Sequence, residues 1–261
     1  MKKLIVFSIM LSMALPSFGW GQKGHDVTAY VAECNLKNCV RKKVQRLLGN
    51  HSLVYYANWL DNASHTPEYA YTSTWHYANV DEGMTYETME KLPSGDVITA
   101  VNDLTAKLKA GRRKEGRLDP ETEALYLKML IHLVGDMHCP MHAGRRTDRG
   151  GNSVPVKFFN SQRKLHGIWD SDIVESAHKW SYSDWHEQVD RLKRREKKFV
   201  VDGTPLEWFN ETHAAAMQIY EDTPAETVVS YDYIAKYAPV VEEQFMKGGL
   251  RLARLLNEIY K

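Results

Sequence analysis

Apolar residues recur at helical spacing along most of the chain, and this pattern predicts a mostly α-helical fold. Alternating polarity typical of a strand is confined to residues 154–159. This short run follows the turn-forming residues Gly150, Gly151 and Asn152, so it predicts one short β-hairpin. Pro140 ends the helical stretch that precedes this region. Helices are predicted at about 25–48, 96–110, 120–138, 183–199, 205–220 and 233–260.

No low-complexity linker or internal repeat divides the chain, so residues 20–261 are predicted to form one multi-helix domain. A hydrophobic content of 43% with 26% charged residues excludes an intrinsically disordered protein. The formal charge of +1 argues against binding of nucleic acid through a large basic surface. The basic run at 191–198 is therefore interpreted as a solvated helix face, with a track for a polyanion as the alternative.

Residues 1–19 have the features of a secretory signal peptide. Lys2 and Lys3 precede an apolar run from Leu4 to Leu15, which is too short to span a bilayer, and small residues precede a cut after Gly19. The predicted location is the periplasm or the exterior, with no membrane attachment after cleavage. Cleavage would also leave Trp20 with an α-amine that can chelate a metal together with its own carbonyl oxygen.

The 3 cysteines are too few to build a disulfide scaffold. An oxidising compartment makes a Cys34–Cys39 bridge feasible and leaves Cys139 over. The alternative is three buried thiols, and the sequence leaves both arrangements open.

The 11 histidines include several in the segment 130–142, where polar groups interrupt an apolar helix. His132 and Asp136 are four residues apart, so they share one helix face and can hold one cation. His138 falls about 240° around the helix from His132 and points elsewhere. His142 lies beyond Pro140, where the chain has turned, and can return to the same site or to a neighbouring one. Alone, such a pair is a weak signal.

The same spacing returns at His166 and Asp170, again among apolar residues that indicate a buried helix start. Asp61, His76 and His25 are further candidates. Asp61 and His76 stand among aromatic residues, where an unpaired charge would be costly, and His25 is near the predicted mature terminus. Each of these three taken singly is as well explained by ordinary hydrogen bonding. The complete set predicts more than one metal ion.

With these residues in place, the chain resembles the S1/P1 nuclease family. The resemblance implies a helical bundle of the phospholipase C/P1 nuclease type and a secreted, zinc-dependent hydrolase that cuts single-stranded DNA or RNA to 5′-nucleotides. Activity as a 3′-nucleotidase is left open. Nucleic acids and nucleotides are the implied substrates, and a monomer without a stable protein partner is expected. The resembling segments occur in the family's order, at 20–25, 59–61, 74–76, 132–142, 148–152 and 165–170.

Carried over position by position, the resemblance implies three zinc ions per chain. A water between two paired zinc ions would attack phosphorus, oriented by Asp61 as the catalytic residue, and the third zinc would stabilise the departing 3′-oxygen. The implied ligands are Asp61, His76, His132 and Asp136 for one ion, the Trp20 amine and carbonyl, His25 and the bridging Asp136 for the second, and His142, His166 and Asp170 for the third.

Substrate contacts are also implied by the resemblance. Tyr77 occupies the position of an aromatic residue that stacks on a base, and Asn79 that of a residue that bonds the base edge. A core aromatic is the alternative for Tyr77. Ser64 departs from the family, because many members have an Arg at that position. We therefore expect lower activity or altered substrate preference, unless a cation such as Lys23 or Arg145 replaces it.

Two other functions compete with the nuclease. A lipid phosphodiesterase of the zinc phospholipase C class is the first, but those enzymes usually have Glu where Asp170 stands and lack the 148–152 segment. A non-catalytic zinc-binding or polyanion-binding protein is the second. Open metal positions argue against it, since structural zinc sites are normally closed by four protein ligands.

Overall fold

The computed structural model describes residues 20–261, apart from the side chain of Lys114, and the predicted signal peptide at 1–19 lies outside the described residues. The described chain is mostly helical, which confirms the predicted fold class. Its helices are α1 Gln22–Cys34, α2 Asn38–Leu47, α3 Leu53–Tyr56, α4 Trp59–Ala63, α5 Val97–Gly111, α6 Pro120–Asp136, α7 Leu165–Gly167, α8 Ile173–Ala177, α9 Tyr182–Val189, α10 Arg194–Val200, α11 Pro205–Asp222 and α12 Tyr231–Ile259. A π-helical turn, Ile168–Asp172, joins α7 to α8, and 3₁₀ turns lie at Ala70–Thr72, Lys114–Gly116 and Pro140–Ala143.

Four predicted helices are confirmed within a few residues, and their starts show the expected capping. Asp96 accepts the backbone N–H groups of Ile98 and Thr99 at the start of α5, which satisfies donors that have no partner within the helix. Asp119 does the same for α6, and Pro120 occupies the first helical position. The confirmed helices are α5, α6, α11 and α12.

Two predicted helices are wrong as single elements, because each is interrupted. The stretch 25–48 forms α1 and α2, and the stretch 183–199 forms α9 and α10. At the first break the Asn35 side chain donates to the Val31 carbonyl and to the Asp190 carboxylate, each at 2.8 Å. Asp190 stands at the second break, so the two interruptions contact each other. Side-chain bonds of this kind compete with the helical backbone, and apolar spacing does not reveal them.

The predicted hairpin is confirmed, and the structure adds a third strand. β1 Pro155–Phe158 pairs with β2 Ser161–Lys164 in antiparallel register. β3 Val228–Val229 pairs in parallel with the other edge of β1, giving the order β2-β1-β3. A strand of two residues is too short to leave a recognisable alternation in the sequence.

The position of α1 depends on glycines that allow close approach. A Cβ on Gly249 of α12 would lie 2.4 Å from Val31 of α1, so the two helices can pack only where a side chain is missing. Near the other end of α1, a Cβ on Gly135 of α6 would lie 2.8 Å from His25 Nδ1. These contacts bring His25 against the C-terminal end of α6.

The cysteines are free thiols in the structure, so the Cys34–Cys39 bridge is not formed in it. The alternative of three buried thiols is correct only for Cys139, since Cys34 and Cys39 are exposed. Within residues 20–261, the structure contains no helix with the length and apolar character needed to cross a membrane.

Candidate metal centre

The predicted ligands come from distant parts of the chain and lie in two neighbouring groups. The first group is built where the start of α1, the short helix α4, the loop after the Ala70–Thr72 turn and the end of α6 meet. It contains His25, Asp61, His76, His132 and Asp136. Its members lie up to 111 residues apart in the sequence, so only tertiary packing brings them together.

Asp136 stands at the centre of the first group, and its two carboxylate oxygens face different imidazoles. Oδ1 lies 3.3 Å from His25 Nε2. Oδ2 lies 2.9 Å from His76 Nδ1 and 3.0 Å from His132 Nε2. Because each oxygen has its own nitrogen partners, this carboxylate has the geometry needed to contribute to two metal positions.

Asp61 forms the side of the first group that opens towards solvent. Its Oδ1 lies 3.2 Å from His132 Nε2, and its Oδ2 lies 4.0 Å from His25 Nε2. The Asp61 side chain is 17% exposed, whereas that of Asp136 is 0% exposed. A small molecule therefore reaches the group from the Asp61 side.

Opposite charges attract one another within the first group. Burial favours a higher pKa for Asp136, but His132, with His25 and His76, lowers this pKa well below its usual range. Burial favours a lower pKa for His132, but Asp136 and Asp61 raise it well above its usual range. A cation that binds here would take the place of the proton on His132 between the two carboxylates, so binding should release protons.

The second group contains His142, His166 and Asp170, and it lies beside the first. His166 Nε2 is 3.3 Å from Asp170 Oδ2, and His142 Nε2 is 4.0 Å from Asp170 Oδ1. His142 Nδ1 is also 3.7 Å from Asp136 Oδ1, which links the two groups. Burial lowers the pKa of both histidines, that of His166 to about 3, so each ring is neutral and can bind a cation through a lone pair.

Backbone carbonyls fix the ring orientation of three of these histidines. Nδ1 of His132 donates to the Ala57 carbonyl at 2.7 Å, and Nδ1 of His142 donates to the His76 carbonyl at 2.6 Å. His166 Nδ1 donates in the same way to the Gly150 carbonyl. In the neutral rings of His142 and His166 this bond leaves Nε2 as a lone-pair atom directed at Asp170. In His132 it directs Nε2 at the carboxylates of Asp61 and Asp136, and a cation that replaces the Nε2 proton would bind its lone pair. Metal-binding histidines in proteins are usually held by such a bond from their second nitrogen.

The 148–152 loop holds His166 in place, and it requires glycine to do so. Gly150 has a φ of 64°, and a Cβ there would lie 2.5 Å from the Met141 carbonyl oxygen. The same Cβ would lie 3.2 Å from Asn79 Oδ1 and 3.3 Å from His166 Nδ1. Asn79 is thus close to the second group, and its buried Oδ1 has no hydrogen-bond partner among the described residues.

Trp20 and Tyr77, the remaining predicted site residues, lie near the two groups. The Trp20 ring is buried, packs edge-to-face on Phe245 at 4.7 Å, and is followed by Gly21, whose N–H donates to the Asp170 carbonyl. Tyr77 is half-buried. These positions put Trp20 beside the second group, and its predicted role as a ligand stays a prediction.

The two cations named as examples of a replacement for the missing Arg have other partners. Ser64 is buried, and its hydroxyl donates to the Asp61 carbonyl at 3.0 Å. Lys23 donates to the Trp180 carbonyl at 3.1 Å, and Arg145 lies over the Tyr220 ring and 3.4 Å from Glu82.

The donor set fits divalent metal ions. Nε2 of His142, Nε2 of His166 and Oδ1 of Asp136 are all buried without a hydrogen-bond partner among the described residues. Buried polar atoms in this state are rare in proteins unless a ligand satisfies them. Sequence reasoning missed Cys139, whose thiol donates to Asp170 Oδ1 at 3.7 Å and joins His142 and Asp170 as a possible donor. Its proximity to His142 in sequence was a signal that could have included it.

Comparison with known proteins gives one family. The sequence model of the S1/P1 Nuclease family matches residues 20–261. Similar curated proteins include Endonuclease 2 of Arabidopsis thaliana, 26% identical over 98% of this chain and 96% of that protein. Nuclease S1 of Aspergillus oryzae is 27% identical over 98% of this chain and 97% of its own length. Nuclease P1 of Penicillium citrinum is 24% identical over 92% of this chain and 98% of its own length.

Proposed function

The chain belongs to the S1/P1 nuclease family and is a nuclease of the hydrolase class, and from this premise we propose that it is a zinc-dependent phosphodiesterase that cuts single-stranded DNA and RNA to 5′-nucleotides. We further propose activity on 3′-nucleotides, with residues 20–261 as the nuclease domain and 1–19 as a signal peptide for export to the periplasm or the exterior. The observation that carries the proposal is Asp136, a buried carboxylate whose two oxygens face two different sets of imidazole nitrogens.

Three zinc ions are proposed, held by the residues of the two groups. Asp61, His76, His132 and Asp136 would hold one, and His142, His166 and Asp170 another. His25 and Asp136 with the Trp20 amine and carbonyl would hold the remaining ion. When bound, these ions would supply a nucleophilic hydroxide near neutral pH and stabilise negative charge on the phosphate and the departing 3′-oxygen.

The chain's own residues have separate tasks in this proposal. Asp61 accepts a hydrogen bond from the attacking water and orients it. Because His132 and His25 hold the pKa of Asp61 below its usual range against the effect of burial, this carboxylate stays ionised. Its exposed edge leaves room for a phosphodiester to approach.

Tyr77 and Asn79 are proposed to bind the base of the nucleotide. The partly exposed Tyr77 ring offers a face for stacking, which is worth roughly 1–3 kcal/mol per base. The buried Oδ1 of Asn79 has no hydrogen-bond partner in the described chain, so it can accept from a base amino group. A base that stacks in this way must be unpaired, which favours single strands.

The experiment compares protein that begins at Trp20 with protein extended by one residue before Trp20. We expect about three zinc ions per chain and chelator-sensitive cleavage of single-stranded DNA in the first form. In the extended form, the α-amine is tied in a peptide bond, so bound zinc and rate should both fall. Equal zinc and equal rates would remove Trp20 from the ligand set. Zinc without cleavage, together with hydrolysis of lecithin, would favour the lipid phosphodiesterase.

A further inference from the structure

A cleft beside the second ligand group is lined by three cationic side chains. It has a volume of about 490 Å³ and lies between the 148–153 loop and strand β2. We call it the basic cleft, and its lining includes Arg149, Asn152, Ser153, Gln162, Arg163 and Lys164. Within residues 20–261, the part of the chain that the structure describes, no acidic residue lines it.

The basic cleft is lined by residues next in sequence to those that hold His166 of the second ligand group. Arg149 precedes Gly150, whose carbonyl accepts the Nδ1–H of His166. On the other wall, Lys164 is two residues before His166, and Leu165 donates to the Val154 carbonyl at 3.0 Å. The loop and the strand that line the basic cleft are therefore the same segments that hold His166.

The charges in the basic cleft are only partly compensated. Arg163 lies 3.2 Å from Asp172, so this cation has a carboxylate partner. The ion pairs of the adjoining loop use Arg145 and Arg146. Among the described residues no carboxylate lies within ion-pair distance of Arg149 or Lys164. Two cations without a counter-ion attract an anion that enters between them.

We propose that the basic cleft binds backbone phosphates of a single-stranded nucleic acid on the 5′ side of the cleaved bond, through Arg149 and Lys164. This inference rests on the proposed function, in which the departing 3′-oxygen lies at the second ligand group. The nucleotide that carries this oxygen is on the 5′ side, so the preceding phosphates continue past His166 into the cleft. The amides of Asn152 and Gln162 add neutral hydrogen-bond donors there.

The test uses two isomeric thymidine hexamers, each with one ordinary phosphodiester and phosphorothioates elsewhere. In one isomer the cleavable bond is near the 3′ end, so most phosphates precede it, and in the other it is near the 5′ end. For Arg149→Gln/Lys164→Gln we expect the ratio of kcat/KM between the first and second isomers to fall about tenfold, as for loss of a charge-assisted contact. A matched control, Arg195→Gln/Lys198→Gln, removes two exposed charges on α10 and should keep the wild-type ratio.

A binding measurement decides the proposal independently of turnover. The affinity of the zinc-loaded protein for a labelled hexamer that carries phosphorothioates at every linkage is measured as the salt concentration rises. Removal of two phosphate contacts should reduce the slope of log affinity against log salt by about 1.4, from about 0.7 per contact on single strands. Arg149→Lys/Lys164→Arg, which keeps both charges, should restore the slope.

The possible failures are distinguishable. If the wild-type protein cleaves both isomers and the double variant shows the wild-type ratio and slope, the proposal that the basic cleft binds phosphates is wrong. The proposed nuclease function is not affected by that result. If the wild-type protein cleaves neither isomer, the proposed function is wrong. An unchanged slope of log affinity against log salt in the double variant would then also contradict phosphate binding in the basic cleft.

Discussion

His138 and His142 are four residues apart and both buried, yet their surroundings assign them different tasks. Each donates its Nδ1–H to a backbone carbonyl, that of Val134 for His138 and that of His76 for His142. Nε2 of His138 accepts from Arg251 at 3.1 Å. Nε2 of His142 is buried, has no hydrogen bond to any residue that the structure describes, and faces Asp170 at 4.0 Å. Burial alone does not identify a ligand histidine. The partner of its second nitrogen does.

The network behind His138 explains why this histidine is structural. Arg251 extends from α12, donates to the Val200 carbonyl at 3.0 Å and to Glu211 at 2.6 Å, and is 2% exposed. It ties the turn after α6 to α10, α11 and α12. The histidines of the two ligand groups face carboxylates, whereas His138 faces the guanidinium of Arg251.

Asp136→Asn should have the largest effect, and it tests whether the residues around His142 and Asp136 bind metal while the region of His138 does not. Loss of the charge that faces four imidazoles should lower the metal affinity and the cleavage rate by at least about 100-fold each. This exceeds the effect of losing a residue that only supports a ligand. Metal analysis and single-strand cleavage measure both. The control is His138→Gln in the same segment, which should retain metal. Full metal content and rate in Asp136→Asn would contradict the assignment of the centre.

The opposite side of the contrast is tested by Arg251→Met. This change leaves the buried Nε2 of His138 without a donor and should lower the free energy of unfolding by about 1–3 kcal/mol, with metal content retained. Urea unfolding with a metal assay measures both. The double variant His138→Leu/Arg251→Met should be less unstable than Arg251→Met alone, because replacing both polar partners costs less than leaving one unpaired. A loss of metal in Arg251→Met would show that the region of His138 also supports metal binding, and would contradict the assignment of His138 as purely structural.

A pH series sharpens the assignment of His138 as a neutral structural group. Burial, followed by Arg251, lowers the pKa of His138 to about 3, while the unfolded chain titrates near 6.5. Between these values the unfolded state binds one more proton, so the contribution of His138 to stability is full above about pH 6.5 and is lost as the pH falls towards 3.

The measurement is the difference in unfolding free energy between wild type and His138→Gln in the presence of a chelator. The advantage of the wild type should shrink as the pH falls from about 6.5 to 4, with the slope of one proton. A difference that does not change with pH would mean that His138 keeps its ordinary pKa in the folded state.

The smallest expected effect is that of Ser64→Arg beside Asp61. One added charge-assisted hydrogen bond to the phosphate should raise the cleavage rate about tenfold. Ser64→Ala controls for loss of the hydroxyl bond to the Asp61 carbonyl, and a melting curve checks that the buried position accepts the larger side chain. An unchanged or lower rate in a folded Ser64→Arg protein would show that activity is not limited by a missing cation here.

Much of the fold follows from the sequence, because apolar spacing and caps are local signals. Helices α5, α6, α11 and α12 and the hairpin could be predicted in this way. The breaks within the first and fourth predicted helices could not, since they depend on the contact of Asn35 with Asp190, 155 residues away. The third strand consists of two residues that pair only because the fold brings them to β1.

The sequence by itself determined which donors exist and which pairs share a helix face. The spacing of His132 and Asp136 is fixed by the helix period, and so is a matter of local geometry. Only the tertiary structure decided that the two oxygens of Asp136 face different imidazoles, that Cys139 lies against Asp170, and that Arg251 satisfies His138. Such contacts join residues far apart in the chain, and their geometry is set by packing at glycines such as Gly135 and Gly150, not by any local pattern.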